Sequence, residues 1–418
     1  MRTGEGSSSW IQSRGEWARE LLCRLIAFRS TTGAERDVQE YLLGVLTIAG
    51  FPAELAPVPE DVVRDVDYTI VPGHTSYQGR ANILVNLPGS GGGRSAIINS
   101  HTDIVPGPDE LFNARSKHGV VYGRGACDAK GQVLTILLAL SALKGLGIRL
   151  KGDVQAQFVI EEEAGGNGSL SAIIQGHRAD AAVVFEPTGL SVCPTNRGAV
   201  WYKLGVTGRS VHMGNYREGV SAVDEMLGLV SILKEYESFL RDESKGHPLF
   251  SDDPSPVVVN VGQIRGGDWP STVPGECVVE GGIGFLPNRR IQRIQEELRA
   301  LIESKATPWA RAHYSFEFAR LHNEAFETPI GHPAVTCFHR AAESVLGRQK
   351  LMGWGASCDG RLFFHRGQMP TIVFGPGDLG HAHSEDEQIS LDDILRASEV
   401  LVKFLVDWCG IEERREEA

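Results

Sequence analysis

Four apolar runs in this chain end in groups that can hold a metal ion. "SAIINS" leads into His101, Thr102 and Asp103, and "QFVI" into Glu161, Glu162 and Glu163. "AVVF" leads into Glu186, and "TIVFGPG", after a short loop, into "HAHSEDE" with His381 and His383. These donors are imidazoles and carboxylates with no thiolate among them, a mixture suited to hydrolytic zinc, cobalt or manganese sites. Three consecutive glutamates repel one another, and a cation against them would relieve that. Residues i and i+2 of a strand share a face, so Asp103 can accept the second ring N–H of His101, the usual support of a ligating histidine. A fifth segment, "YGRGACDAKG", lacks the spacing of a phosphate loop, and its Asp128 stands just before a long apolar run. Each segment alone has an ordinary reading: a loop histidine beside an acid, a solvated acidic turn, an N-cap, an exposed turn. Their joint placement favours a site, because open α/β sheets build sites at the carboxyl ends of their strands.

To bring these segments together the chain must form an α/β layer. Strand-like runs ("ANILVNL", "SAIINS", "DVQAQFVI", "DAAVVF") alternate with helical ones. The helical stretches are Trp17 to Ile48 with a break at "RSTTG", "QVLTILLALSALKGLG", and the segment around "GSLSAIIQGH". That alternation predicts a mixed, mostly parallel sheet with flanking helices. The character changes near Asn196, where amphipathic strands ("AVWYKLGVTG", "VVVNVGQIRGG", "CVVEGGIGFL") lie among two long helical stretches, a separate α+β module. From His332 the first style returns, ending in the helix "LDDILRASEVLVKFLVDWCG". The expected division is therefore 1–195, 196–320 and 321–418, a small domain inserted into a larger one. The Gly/Ser-rich first nine residues are expected to be disordered, and "EERREEA" to be a frayed helix end.

Bulk properties narrow the partners. A chain of 418 residues exceeds what one hydrophobic core organises. The formal charge, 41 − 53 = −12, lacks the basic footprint that nucleic acid or an anionic membrane requires. No secretory leader is visible in "MRTGEGSSSW", and no window is expected to reach the roughly 18 apolar residues of a membrane span. The seven cysteines are scattered and never spaced C-x-x-C, as expected of free thiols in a cytoplasmic protein. Neither a G-x-S-x-G motif nor a convincing Cys/His pair supports a serine or cysteine hydrolase.

Taken together, "NSHTDIVP", "YGRGACDAKG", "EEEAGGNGS", "FEPTG", "GRSVHMGN" and "GPGDLGHAHSEDE" resemble metallopeptidase family 20. That family includes aminoacylases, acetylornithine deacetylase, succinyl-diaminopimelate desuccinylase and glutamate-releasing carboxypeptidases. The motifs span almost the whole chain in the family's order. The resemblance implies a zinc-peptidase-like catalytic domain carrying an inserted ferredoxin-like lid or dimerisation domain, and a homodimer through that lid. It also implies two divalent metal ions bridged by one carboxylate, zinc first, with cobalt or manganese as alternatives. By motif position His101, Asp128 and Glu186 would hold one ion, and Asp128, Glu163 and His383 the other. His383 fits the A-H-S-x-[DN]-E spacing where His381 does not, and Glu387 would support it. Glu162 would be the general base, with Asp103 behind His101. His212 would be the oxyanion donor, reaching across a dimer. Glu161 stands where an aspartate is commoner.

The implied reaction is hydrolysis of an amide C–N bond in a small molecule, with an N-acyl amino acid as the leading substrate. A water bridging two cations is acidified and the metals polarise the carbonyl. A carboxylate that is not a ligand carries the proton to the leaving nitrogen, and the oxyanion needs a donor. The match departs in the lid, where relatives that read a substrate carboxylate carry an arginine after "VP" and this chain has Gly281, Gly282 and Gly284. Arg361 in "ASCDGRLF" is then the expected anion contact, with Ser357 as a substrate-binding neighbour. An ion pair of Arg361 with Asp359 is the alternative. A less ordinary amide, formamide or aromatic amine is the second reading of the substrate. A non-catalytic dimeric binding relative is the reading of another class, but it should have lost the base or a ligand, and every position is filled.

Overall fold

The computed structural model describes residues 2–412 except 72, 74 and 75. The chain separates into two bodies: one holds the residues up to Thr195, Glu327–Trp354 and those from Cys358 on, the other Asn196–Phe326 with Gly355–Ser357. The return to the first body falls at Glu327 rather than at 321. A strand the sequence reading passed over, Tyr314–Asn323, pairs with Gly198–Thr207 and keeps that stretch in the second body.

In the first body the sheet runs Ala53–Pro57, Ala81–Leu87, Val154–Val159, Ala96–His101, Ala182–Phe185, Thr371–Phe374, Val192–Asn196, Phe326–Glu327, with Leu351–Trp354 on Val192–Asn196. Its four middle strands pair in parallel. Antiparallel pairings flank them. Strands buried on both faces read as continuous apolar runs, and every residue of Ala96–His101 is buried. The register sets His101 beside Val159, so the carboxyl ends carrying His101 and the three glutamates leave the sheet at one edge.

The helix Gly131–Gly145 carries apolar residues on all sides and is buried from Gly131 to Leu140, with Leu134, Leu137 and Leu138 fully buried. Each such leucine contributes about 2 kcal/mol of burial. Ala126–Gly145 is long and apolar enough to cross a membrane, which the sequence reading did not expect, and 94% of its window is buried within the fold. The N-terminal expectation also needs correcting, since Arg2–Gln12 forms a helix. Ile11 is fully buried, and Ser8 and Gln12 donate to Glu399 of the helix Leu391–Cys409 at 3.0 and 3.1 Å. Anchors spaced along one helical face outweigh the low propensity of the Gly/Ser run. The stretch "EERREEA" lies outside the described residues save for Glu412 at its start.

The second body follows the order strand, helix, two strands, helix, strand. Its antiparallel sheet runs Val258–Gly266, Glu276–Phe285, Gly198–Thr207, Tyr314–Asn323. That is the ferredoxin-like arrangement. Alternation along Gly198–Thr207 buries Val200, Tyr202, Leu204 and Val206 toward the helices Ala222–Ser244 and Ile291–Lys305, and leaves Trp201 and Lys203 on the other face.

Candidate metal centre

Asp128 is the hub. It lies in the turn Ala126–Lys130 with a non-helical backbone, just ahead of the helix at Gly131, and its side chain caps nothing. One carboxylate oxygen, Oδ1, is 3.1 Å from Nε2 of His101, and the other, Oδ2, is 3.3 Å from Nε2 of His383. Glu163 stands 3.0 Å from the same His383 nitrogen, and Glu186 4.0 Å from Nε2 of His101. Donor atoms of His101, Asp128 and Glu163 lie within 4.8 Å of one another, as do those of His101, Glu162 and Glu186. The geometry therefore brings together His101, Asp128, Glu162, Glu163, Glu186 and His383.

One supporting role is wider than expected and another differs. His101 Nδ1 meets the backbone carbonyl of Asp103 at 3.0 Å, while the nearest carboxylate oxygen of Asp103 is 3.5 Å away. The Asp103 carboxylate instead accepts the backbone N–H groups of Glu162 at 3.1 Å and Glu163 at 3.0 Å. It thus fixes the loop that carries both glutamates. Glu387 does not touch the His383 ring. Its carboxylate accepts the N–H groups of Cys127 and Asp128 at 3.0 and 3.1 Å and pairs with Arg124 at 2.5 Å, and Arg124 reaches the His383 carbonyl at 3.4 Å.

Glu161 is neither a ligand nor a solvated strand end. It is fully buried with φ of 62°, a left-handed backbone that a non-glycine residue adopts at a cost of about 1–3 kcal/mol. Arg80 holds it at 2.6 Å, the Tyr77 hydroxyl at 2.6 Å and the Asn167 amide at 3.0 Å. Arg80 also pairs with Glu35 at 2.6 Å. Behind this loop Gly165 and Gly166 have positive φ, and a Cβ on Gly166 would sit 2.2 Å from the Asp359 carboxylate. Arg361 is buried and donates to the Gly165 carbonyl at 2.8 Å. One guanidinium nitrogen thus anchors the glutamate loop, while Nε of Arg361 has no hydrogen-bond partner among the described residues. We expect Glu161→Gln, which leaves Arg80 with half its buried compensation, to destabilise the metal-free protein by about 3 kcal/mol, read as a lowered melting temperature. An unchanged melting point would show that the network carries no such weight.

Burial pushes Glu162 and Glu186 well above the usual carboxylate range, helped by their neighbouring acids. Burial, then the Asp128 charge, pushes Glu163 up to about 7. Hydrogen bonds to Asp128 and Glu163 lift His383 to about 10. Burial disfavours charge on His101, but its contacts with Asp103 and Asp128 and the surrounding acids outweigh this and raise it. Asp128 is held below its ordinary value, because its bonds to both histidines outweigh burial. Lys130, the nearby buried amine, is turned to the Phe28 carbonyl at 2.7 Å. Four carboxylates thus crowd two imidazoles, and the donor set of nitrogen and oxygen without sulfur fits divalent cations. Burial raises the thiols of Cys127 and Cys358, so neither is a thiolate.

These directions predict how metal removal acts. Raised carboxylates stabilise the fold below their ordinary value of 4.5 and lose that contribution as pH climbs through the raised value, about 7 for Glu163. Raised histidines act in the same sense, from 6.5 up to about 10 for His383. The melting temperature of metal-stripped protein is therefore expected to fall between about pH 5 and pH 8, and zinc added at pH 7 to restore it while releasing protons. Calorimetry in buffers of differing ionisation heat reads the protons. A melting temperature that rises over that range would refute the crowded-acid picture.

His212 and Ser357 belong to the second body. His212 is exposed, and its Nδ1 accepts the Gly214 N–H at 3.1 Å. Ser357 is half-buried. The residues that sequence reasoning missed are Arg80, Tyr77, Asn167 and Glu35. Asn167 stands inside "EEEAGGNGS" but was given no role, the other three sit in no motif, and Arg80 and Glu161 meet only through the tertiary fold.

A model of peptidase family M20/M25/M40 matches residues 97–407. N-formyl-4-amino-5-aminomethyl-2-methylpyrimidine deformylase of Bacillus subtilis is 26% identical over 96% of this chain and 96% of its own. Acetylornithine deacetylase of Pasteurella multocida is 28% identical over 90% of this chain and 92% of its own. Among solved structures, the aminopeptidase PepT of Bacillus cereus superposes with a TM-score of 0.73 at 20% identity, covering 94% of this chain and 98% of that one. Human carnosine dipeptidase 1 does so with 0.72 at 15% identity, covering 98% and 99%. These structural likenesses speak for the fold alone.

Proposed function

Because the chain belongs to peptidase family M20/M25/M40 and is a metal-dependent hydrolase of carbon–nitrogen bonds, we propose that it removes a short acyl group from a small N-acyl compound at a two-metal site. One observation carries this reading: the two oxygens of Asp128 face two different histidines, 3.1 and 3.3 Å away, as a shared ligand must. His101, Asp128 and Glu186 would hold one ion, and Asp128, Glu163 and His383 the other, zinc being the first candidate and cobalt or manganese next. Divalent ions bound there would acidify a water and polarise the scissile carbonyl. The Glu162 carboxylate takes the proton of the attacking water and passes it to the leaving nitrogen, while Asp103 holds the Glu162 backbone in place.

The oxyanion donor in this reading is Nε2 of His212. Its Nδ1 is occupied as an acceptor from Gly214, which leaves the ring proton on Nε2. A homodimer through the second body would let His212 of one copy serve the other. The seven free cysteines support a cytoplasmic setting.

The leading substrate is an N-acyl amino acid. A second reading, an N-formyl or N-acetyl amine without a carboxylate clamp, is favoured by Gly281, Gly282 and Gly284 in the strand Glu276–Phe285 and by the engagement of Arg361 with Gly165. Parallel assays of N-formyl and N-acetyl compounds, with and without an α-carboxylate and with zinc, cobalt and manganese in turn, separate the two. Failure to release any acyl group under all three metals would refute the deacylase proposal.

A further inference from the structure

The second body's sheet has one face under its helices and one open face. On the open face lies a groove of about 570 Å³, lined by Trp201, Lys203, Asn260, Glu280, Gly282 and Arg320 among others. That volume is ordinary for a small-ligand pocket. Trp201 stands mid-strand, in register opposite Gly282, and leaves 47% of its surface exposed.

The two glycines beside it differ in cause. Gly281 is dictated by packing, because a Cβ there would meet the Asn260 carbonyl at 2.0 Å and the Tyr202 hydroxyl at 2.6 Å. Gly282 has no such cause: its Cβ would meet nothing closer than Trp201 Cδ1 at 3.5 Å. A side chain at 282 would lie across the indole, and its absence keeps the ring face clear.

The opposite wall is shaped as well. Pairing of Tyr314–Asn323 with Gly198–Thr207 slips between Phe318 and His322, opposite Trp201. Arg320 sits within that slip at φ of 66°. A bulge with a left-handed non-glycine residue re-aims a side chain and is common beside functional sites. The charges around it cancel, since Glu280 pairs with Arg265 at 3.9 Å and Lys203 lies in register between Glu280 and Glu317. Arg320 has no acidic partner among the described residues. One guanidinium without an acidic partner therefore lines the same groove as an exposed indole.

We propose that this groove binds a planar aromatic or heteroaromatic ring carrying a carboxylate or similar anion, the ring on Trp201 in the space left by Gly282 and the anion on Arg320. Offset stacking and charge-assisted hydrogen bonds supply the recognition. The ligand is either an aromatic portion of the substrate or a separate effector of the same chemistry.

Calorimetric titration of benzoate, benzamide and cyclohexanecarboxylate into the zinc-loaded full chain tests this. Benzoate is expected to bind, and cyclohexanecarboxylate to bind roughly tenfold more weakly, because it cannot stack. Gly282→Leu, at an extended position with room for a side chain, should weaken benzoate at least about tenfold by covering the indole. Arg320→Gln should weaken benzoate by a similar factor and leave benzamide unchanged. Competitive inhibition of hydrolysis marks the ring as part of the substrate and non-competitive inhibition marks an effector; either supports the groove if it disappears in Gly282→Leu. Benzoate affinity unchanged in a folded Gly282→Leu protein would place the carboxylate elsewhere, such as on the metals, and overturn the proposal. Absence of benzoate binding would do the same. So would a Gly282→Leu protein that sediments in a new oligomeric state with benzoate affinity intact, since the face would then belong to a second copy of the chain.

Discussion

Glu162→Gln is expected to lower kcat/KM by about a thousandfold or more while leaving both metal ions bound. The amide matches the carboxylate in size and keeps the backbone N–H that Asp103 accepts at 3.1 Å, so the loop has no reason to move. What it loses is the proton shuttle, and general-base contributions run to about 10²–10⁴. Elemental analysis beside steady-state kinetics separates the possible roles. Glu162 also lies within 4.8 Å of His101 and Glu186 donor atoms, so a ligand is the competing role. Metal loss in parallel with activity would assign it that role, and activity near wild type would remove it from the chemistry.

The separate tasks of the three adjacent glutamates depend on backbone geometry that a sequence does not display. That something cationic belongs against them was legible, because parallel strands deliver their carboxyl ends to one edge and each end here carries a donor. His383 could be told from His381 by motif spacing alone, and the two do part in space: His381 sits in the turn Leu379–His381 near Gln388, while His383 faces Asp128. Glu161 was not legible. Its partner Arg80 is brought to it by the fold, and a buried ion pair leaves no periodic trace in sequence. Asp103 was placed beside His101, 3.5 Å from its Nδ1, but its hold on the glutamate loop was not foreseen, and Glu387 was given the wrong partner. A carboxylate that accepts backbone N–H groups looks, in sequence, the same as one that braces an imidazole.

The same contrast runs through the fold. The strands and buried helices of the first body follow from uninterrupted apolar runs. The strand Tyr314–Asn323 was missed although Tyr314, Phe316 and Phe318 alternate with polar residues, because the pattern breaks at the slip around Arg320. The N-terminal helix was missed because its stability comes from contacts with the distant helix Leu391–Cys409 and not from its own composition.

Asp128→Asn should separate a bridged pair from a single site. Both oxygens of Asp128 are in use, toward His101 and toward His383, and an amide offers only one acceptor. Bound metal is therefore expected to fall from two ions to none per chain, with activity down by about a thousandfold or more. Glu163→Gln removes a carboxylate that lies 3.0 Å from His383, and should release one ion while the other stays. The order of loss is the discriminating result, since two independent sites would respond to Asp128→Asn by losing one ion, as they do to Glu163→Gln. Backbone collapse is not a ready escape, because Glu387 grips the N–H of residue 128 rather than its side chain, and circular dichroism would detect it. Two ions retained in Asp128→Asn would refute the shared carboxylate and with it the arrangement proposed for this site.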